Sequence, residues 1–371
     1  MKVEFYKHNI EQMDIDNVVS VLHSTFLTTG DKVAEFEKKF AEYIGCKYVV
    51  GLTSCTGALH LSLLALGISH GDEVITTPMT FVATANSIIE AGAKPIFVDV
   101  ESDTGNINAD LIESVITPRT KAIMPVHLYG QLCEMDKIQY VANKYGLFVI
   151  EDAAHAIEAS RNGIRVGEIG DATCFSHYVT KTLQCGEGGS VAMNNQETAN
   201  NIRKMRHHGI STNASERYTK KYEHWDMDIF GWKYNMDNIK AALLINQINR
   251  LDEYLKRREE ICQKYEKAFA DTSIKFLTVL PKSKSARLMF TILVDDRDNV
   301  MHKLQEKGIG VAVNYRAIHL LTYYSETYGY KRGDYPIAEG IGDRTITLPL
   351  YPKLTNEEVE YVIQSVKEVV C

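Results

Sequence analysis

LFVIEDAAHAIEASRNGIRVGEIGDATCFSHYVTKTLQCGEGGSVAMNN, residues 147–195, decides the fold. It contains three short β-rich runs, LFVIEDAA, ATCFSHY and GGSVAMNN, whose apolar residues are continuous rather than alternating. Runs of that kind suit strands buried on both faces of a mainly parallel sheet. Outward from them the same texture recurs in KYVVGL (47–52), EVITTP (73–78), KPIFVDV (94–100) and KAIMPVHLYG (121–130). Helical patterns such as TGALHLSLLALG (56–67) and MDKIQYVANKYG (135–146) lie between them, and the alternation predicts an α/β architecture. Ligands of such sheets bind beyond the carboxyl ends of the strands, so chemistry is sought in the residues that follow each run.

Past residue 195 the pattern changes. Residues 236–269 are apolar in their first half and heavily charged in their second, as expected of a helix that bridges to another domain. LMFTILV (288–294), NVMHKLQEKG (299–308), VAVNYR (311–316) and TITLPL (345–350) then read as strand, helix, strand and strand. A last helix opens with Thr355 and Glu358 at capping-box spacing. The expected division is a large domain over 1–245, including an N-terminal arm, and a smaller α+β domain over 246–371. RYTKKYEHWDMD (217–228) reads as a loop.

Of the 371 residues 45% are hydrophobic and 24% charged, which argues for a folded globular chain and against an extensively disordered one. A net charge of -7 lacks the basic excess of a dedicated nucleic-acid binder. No apolar run approaches the roughly 18 residues of a membrane span, and the start MKVEFYKHNIEQMD has no apolar h-region. A cytoplasmic location is expected, with neither nucleic acid nor membrane as partner. The seven cysteines form no C-x-x-C pair, so reduced thiols are expected, and no metal site is.

Four features fall at predicted strand ends. Asp152 closes LFVIED, where a carboxylate serves as metal ligand, general base or partner of a protonated ring nitrogen. Lys181 follows ATCFSHY; a desolvated lysine there is suited to Schiff-base formation, whereas an exposed one merely begins a loop. The glycines 186, 188 and 189 beyond it either turn the chain or let backbone approach a ligand. Thr56 and Gly57 open an amphipathic helix whose N–H groups form an anion site, unless Thr56 is only a cap. Phe81 follows EVITTPMT, where its ring either covers a planar ligand or joins the core. A P-loop and a G-x-G-x-x-G fingerprint are both absent. A lysine, a carboxylate, a phosphate seat and an aromatic cover together answer the needs of pyridoxal 5'-phosphate.

With those residues in place, the chain resembles the DegT/DnrJ/EryC1/StrS family of sugar-nucleotide aminotransferases. The resemblance runs in order through residues 26–45 (FLTTGDKVAEFEKKFAEYIG), 53–88, EDAAHAIEA, CFSHYVTKTLQCGEGGSVAM, MRHHG, GWKYNMDNIKAAL, NYRAIH and TLPLYPKLT. It implies the aspartate aminotransferase fold (fold type I) and pyridoxal phosphate as cofactor. It implies further that Lys181 bonds the cofactor covalently, that Asp152 meets the pyridinium nitrogen, and that Thr56, Gly57 and the Ser176 hydroxyl hold the phosphate. Phe81 would cover the ring and His155 would lie near the ring hydroxyl. Asn235, in the segment GWKYN, would reach the phosphate of a neighbouring subunit, which implies a homodimer with shared sites; otherwise it is a helix cap. His177 stands where phenylalanine is usual.

Within that family the resemblance is to enzymes that aminate UDP-linked 4-keto sugars, which makes Tyr315, Arg316 and His319 candidates for the substrate side. The implied reaction moves the amino group of L-glutamate to C4 of a nucleotide-linked 4-keto-6-deoxy sugar on the way to a surface polysaccharide or glycoconjugate. The nearest alternative is a 3-keto-sugar aminotransferase. The sister 3-dehydration reaction uses histidine in place of the lysine, so Lys181 argues against it. A regulatory or scaffolding protein of the same fold is the non-enzymatic alternative.

Overall fold

The computed structural model describes residues 1–210 and 224–370. Of the segment expected as a loop, 217–223 lie outside these residues, as does Cys371, while 224–228 form no helix and bridge once, Met227 to Ile210.

Seven strands make the principal sheet: β1 Tyr48–Leu52, β2 Glu73–Thr76, β3 Lys94–Phe97, β4 Thr120–Ile123, β5 Phe148–Asp152, β8 Ala172–Ser176 and β9 Gly189–Met193. A small ribbon, β6 Ser160–Arg161 and β7 Ile164–Arg165, lies between β5 and β8 in the chain. The sheet order is β1-β9-β8-β5-β4-β2-β3, and β9 alone runs against its neighbours. This is the mainly parallel α/β sheet that the continuous apolar runs predict.

The reason for that continuity is visible in two cores. Val49, Ile75, Ile123, Val149, Phe175 and Ala192 bury on one face of the sheet. Their chain neighbours Val50, Val74, Ala122, Ile150, Cys174 and Val191 bury on the other. Side chains alternate with period two, yet both faces are covered, so both phases are apolar. Helix α1 (Gln12–Leu22) and helix α2 (Asp31–Ile44) precede the sheet, and α2 sends Phe36 and Phe40 into the first core. Helix α3 (Cys55–Ala65) follows β1 and sends Leu59, Leu61 and Leu63 into the second. Helix α4 (Ala83–Glu90) follows β2.

The long 236–269 pattern is two helices, Asn238–Gln247 and Leu251–Phe269, separated by a 3-10 turn at Ile248–Arg250. Beyond them β10 Lys275–Phe276, β12 Phe290–Leu293 and β13 Thr345–Leu348 form a second sheet. Its core collects Tyr265, Phe269, Phe290, Ile346 and Val362. Val3, grouped with the larger domain in the sequence, buries in this second core and pairs with Ile309. Strand β11 (Ser283–Lys284) pairs with β6. The last helix, Asn356–Val370, is opened by the expected box: Thr355 N–H donates to Glu358 Oε2 at 2.9 Å, and Glu358 N–H to Thr355 Oγ1 at 3.1 Å. No helix among the described residues is long and apolar enough to cross a membrane.

Candidate active site

The carboxyl ends of β1, β5 and β8 meet the start of β9 at one edge of the sheet. Leu52 and Ser176 both stand opposite Gly189, so the end of β1 and the end of β8 flank one glycine. A Cβ on Gly189 would fall 2.2 Å from the Ser54 carbonyl carbon and 2.3 Å from the Cys55 nitrogen. Only glycine lets the start of α3 cross β9 at that height. The close approach expected of the glycine run is thus made here by the protein's own backbone.

Ser54 caps α3: its Oγ accepts the Gly57 N–H at 3.0 Å, and its carbonyl accepts the Ala58 N–H at 3.1 Å. The N–H groups of Cys55 and Thr56 remain as the open donors of the first turn, at the electropositive end of the helix. Thr56 therefore occupies the helix start as expected and is not its cap. Gly57 differs from the expectation, because its N–H is taken by Ser54 and its lack of a side chain clears the Tyr234 ring, 3.3 Å from where a Cβ would sit.

Asp152 is buried at the end of β5. Thr84 Oγ1 donates to its Oδ2 at 2.7 Å and the Ala154 N–H to Oδ1 at 3.2 Å. Burial nevertheless holds its carboxyl above the ordinary range, against those donors and Lys181. Thr84 has one proton, given to Asp152, so in the 2.8 Å contact between Thr80 and Thr84 the Thr80 hydroxyl is the donor. Sequence reasoning missed Thr84; its signal was a hydroxyl three residues after Phe81, in the first turn of α4.

Lys181 sits on the loop between β8 and β9, partly buried, and desolvation brings it down to about 8 against the opposing pull of Cys55 and Asp152. The loop is tightly tied: His177 N–H donates to the Gly188 carbonyl at 2.8 Å, Cys185 N–H to that of His177 at 3.0 Å, and Val179 N–H to that of Gly186 at 2.9 Å. His177, buried against the edges of Phe36 and Phe40, faces the Leu183 carbonyl with Nδ1 at 3.2 Å and Ser190 Oγ with Nε2 at 2.8 Å. A carbonyl only accepts, so Nδ1 carries the proton and Nε2 accepts from Ser190. Burial pulls this imidazole down to about 4.

Asp152, Lys181, Thr56, Ser176, Phe81, His155 and Tyr315 line one cavity of about 570 Å³. Ser176 is buried at its floor, and Phe81, 57% exposed, stands near its mouth with its ring 5.8 Å from that of Tyr315. His155 is buried; Tyr129 N–H donates to its Nδ1 at 3.2 Å and its Nε2 lies 3.2 Å from Tyr315 Oη. Both ring nitrogens are engaged within the chain. Among the described residues, Gly57, Asn235, Arg316 and His319 are not part of the cavity lining. Asn235 bridges Leu52 and donates to Thr29 Oγ1 at 2.6 Å, and Asp237, not Asn235, caps the following helix. Arg316 is exposed, while His319 is fully buried with Nε2 3.0 Å from Glu339 Oε1, so the substrate trio is split.

These groups fit pyridoxal phosphate. Lys181 is an amine with a lowered proton affinity, Asp152 a buried carboxylate across the cavity, and the α3 start with the Ser176 hydroxyl an anion seat. The fit is one of chemistry and enclosure.

The sequence profile of the DegT/DnrJ/EryC1/StrS aminotransferase family matches residues 8–367. The spore coat polysaccharide biosynthesis protein SpsC of Bacillus subtilis is 41% identical over 370 residues, which cover 97% of this chain and 95% of that protein. Among solved structures, the PMP form of Streptococcus pneumoniae Spr1654 superposes with a TM-score of 0.94 at 31% identity, over 99% of each chain. Helicobacter pylori PseC, an aminotransferase involved in the biosynthesis of pseudoaminic acid, gives a TM-score of 0.92 at 28% identity, over 100% of this chain and 99% of that one.

Proposed function

The chain belongs to the DegT/DnrJ/EryC1/StrS aminotransferase family, pyridoxal-phosphate-dependent enzymes of the aspartate aminotransferase fold, and from that premise we propose that it transfers the amino group of L-glutamate to C4 of a UDP-linked 4-keto-6-deoxy sugar. It is a sugar aminotransferase, and the likeness to SpsC supports a place in making a polysaccharide or glycoconjugate. The observation that carries the reading is the meeting of Lys181, Asp152 and the α3 start in one cavity at the strand ends. The ordered segments shared with UDP-4-keto-sugar aminotransferases support the acceptor. We further propose a homodimer in which Asn235 serves the partner's site, since it lies outside the cavity lining of its own chain.

When bound, pyridoxal phosphate supplies an electron sink for the carbon that exchanges the amino group. The chain's residues do the rest. Lys181 Nζ would anchor the cofactor, and the same amine would take a proton from the donor's α-carbon in one half-reaction and give one to the sugar carbon in the other. Titrating near 8, it accepts and returns protons close to neutrality. Asp152 would keep the ring nitrogen protonated, and Thr84 and the Ala154 N–H hold that carboxylate in place. The first-turn N–H groups of Cys55 and Thr56, with the Ser176 hydroxyl, would hold the phosphate, and Phe81 would cover the ring.

The test is a panel of enzymatically made 4-keto and 3-keto sugar nucleotides, offered in competition with glutamate and read by mass spectrometry. Amination of the UDP-4-keto sugar is expected. Clear preference for a 3-keto isomer would replace this acceptor with the 3-keto alternative.

A further inference from the structure

We propose that Gln247 is a positioning residue for Lys181: its side-chain amide clamps the backbone of Gln184, three residues past the lysine, and so fixes the point from which the lysine arm reaches. The role of Lys181 itself rests on the aminotransferase reading given above. The loop that carries this lysine is fastened differently on its two sides. On the near side backbone meets backbone: Val179 N–H donates to the Gly186 carbonyl and Lys181 N–H to that of Tyr178, each at 2.9 Å. On the far side two consecutive residues are held by side chains. His177 Nδ1 donates to the Leu183 carbonyl at 3.2 Å. Gln247 then takes both polar backbone groups of Gln184: its Oε1 accepts the N–H at 3.3 Å, and its Nε2 donates to the carbonyl at 2.8 Å.

The backbone groups decide how this amide is turned. An N–H only donates and a carbonyl only accepts, so Oε1 must face the one and Nε2 the other. The second Nε2 proton goes to the Leu243 carbonyl at 2.6 Å, four positions back in the helix Asn238–Gln247. Both amide protons are thereby spent inside the chain. Gln247 is fully buried and, among the described residues, is not part of the cavity lining, so it acts through the loop and not on a ligand. The clamp does for Gln184 what a neighbouring strand would do, at a point where the loop has left the sheet. Its base is firm: Ala241, Leu244 and Ile245 of the same helix bury in the first core with Phe36 and Phe40, and Asn238 Oδ1 accepts the Val33 N–H at 3.2 Å. A buried N–H and a buried carbonyl left without partners each cost more than a hydrogen bond contributes, so the loop has one favoured seat on this helix. Proton transfer by Lys181 Nζ depends on that seat, because a reacting group must lie within hydrogen-bond reach of the carbon it serves.

Gln247→Met keeps the length of the side chain and removes all of its hydrogen bonds. In the loaded variant the rate constant of the glutamate half-reaction, followed by absorbance, should fall about a hundredfold, as for a reacting group misplaced by about an ångström. The dissociation constant for glutamate should not change. In Lys181→Ala rescued with methylamine, adding Gln247→Met should have no effect, because no arm is left to place. A readout apart from turnover comes from the cofactor-free protein, in which acetic anhydride labelling of the Lys181 peptide is followed against pH by mass spectrometry. Its midpoint, at about 8 in the wild type, should rise toward the ordinary lysine range in Gln247→Met, as the loosened loop returns water to the amine. Wild-type rate and wild-type midpoint in Gln247→Met, or an equal slowing in the methylamine-rescued background, overturn the proposal. One measurement does not depend on the variant folding: the Gln184 amide of the wild-type protein should exchange with deuterium as slowly as those of β8, and rapid exchange there overturns the clamp by itself. A wild-type enzyme that reacts with no amino donor overturns the aminotransferase reading instead, while the labelling midpoint and the Gln184 exchange still decide whether Gln247 seats the lysine.

Discussion

Stripped of cofactor, the protein should recapture pyridoxal phosphate at a rate that rises tenfold per pH unit and levels near pH 8, because the reacting species is neutral Lys181. The lowered Lys181 value sets the size of the effect. An amine titrating at about 8 is about one-tenth neutral at pH 7, whereas an ordinary lysine near 10.4 is about one part in 2,500 neutral, a gain of roughly 200-fold in reactive amine. Asp152 opposes the shift, since a carboxylate favours the ammonium. Asp152→Asn should consequently move the midpoint of the rate profile below 8 while lowering amination by orders of magnitude through the lost ring-nitrogen partner. The same shift has a stability signature. With the folded value below the unfolded one, the unfolded chain binds the extra proton between about 8 and 10.4, so the cofactor-free protein should gain stability as pH rises through that window. The assay is stopped-flow absorbance at fixed pyridoxal phosphate, from pH 6 to 10. A rate still climbing tenfold per unit at pH 9.5, or an upward midpoint in Asp152→Asn, would refute the burial argument.

Borohydride treatment of the loaded enzyme should fix the cofactor on the Lys181 peptide, and Lys181→Ala should bind cofactor without multiple turnovers; turnover by the pure variant would remove Lys181 from its role. His177→Phe should flatten the acid limb of stability: with the folded imidazole at about 4 against about 6.5 unfolded, wild type loses up to about 3 kcal/mol as pH falls through that window. Urea midpoints at fixed protomer concentration would check this, and parallel curves for the two proteins would count against it. If the proposed homodimer shares its sites, Asn235→Asp would set a carboxylate against the partner's phosphate, so cofactor affinity should fall. Mixing it with Lys181→Ala under subunit exchange should restore activity through one intact site per hybrid; hybrids seen by native mass spectrometry but inactive would confine Asn235 to its own chain.

The strands were legible because a sheet covered on both faces writes apolar residues in both phases, and Asp152 and Ser176 stand out as the polar residues that end such runs. Lys181 was legible as the first lysine past β8. Details that hang on one residue's shift or on distant partners were not. Which hydroxyl caps α3 is a choice between Ser54 and Thr56, two positions apart, and only the structure shows that Ser54 takes the Gly57 N–H. His319 reads as a polar site residue until Glu339, 20 positions on, is brought against it in the core. His155 depends on Tyr315, 160 positions away, and on the Tyr129 backbone, which turns through a positive φ of 57°. The break at Ile248–Arg250 hides inside an unbroken helical pattern, because its residues suit either turn geometry.

In the proposed reaction, the reversed direction of β9 has a consequence for how Lys181 would serve both halves of the transfer. Most connections in the sheet are crossovers through helices, long enough to carry slack, but β8 and β9 are joined as a hairpin whose two legs are clamped side by side. Lys181 hangs from the bend of that hairpin, so its backbone inherits the stiffness of the sheet. What is left to move is the side chain, four torsions ending in Nζ. Ferrying a proton from one carbon to the next is then a matter of swinging a short arm from a fixed shoulder, and the stroke is bounded by the length of lysine itself.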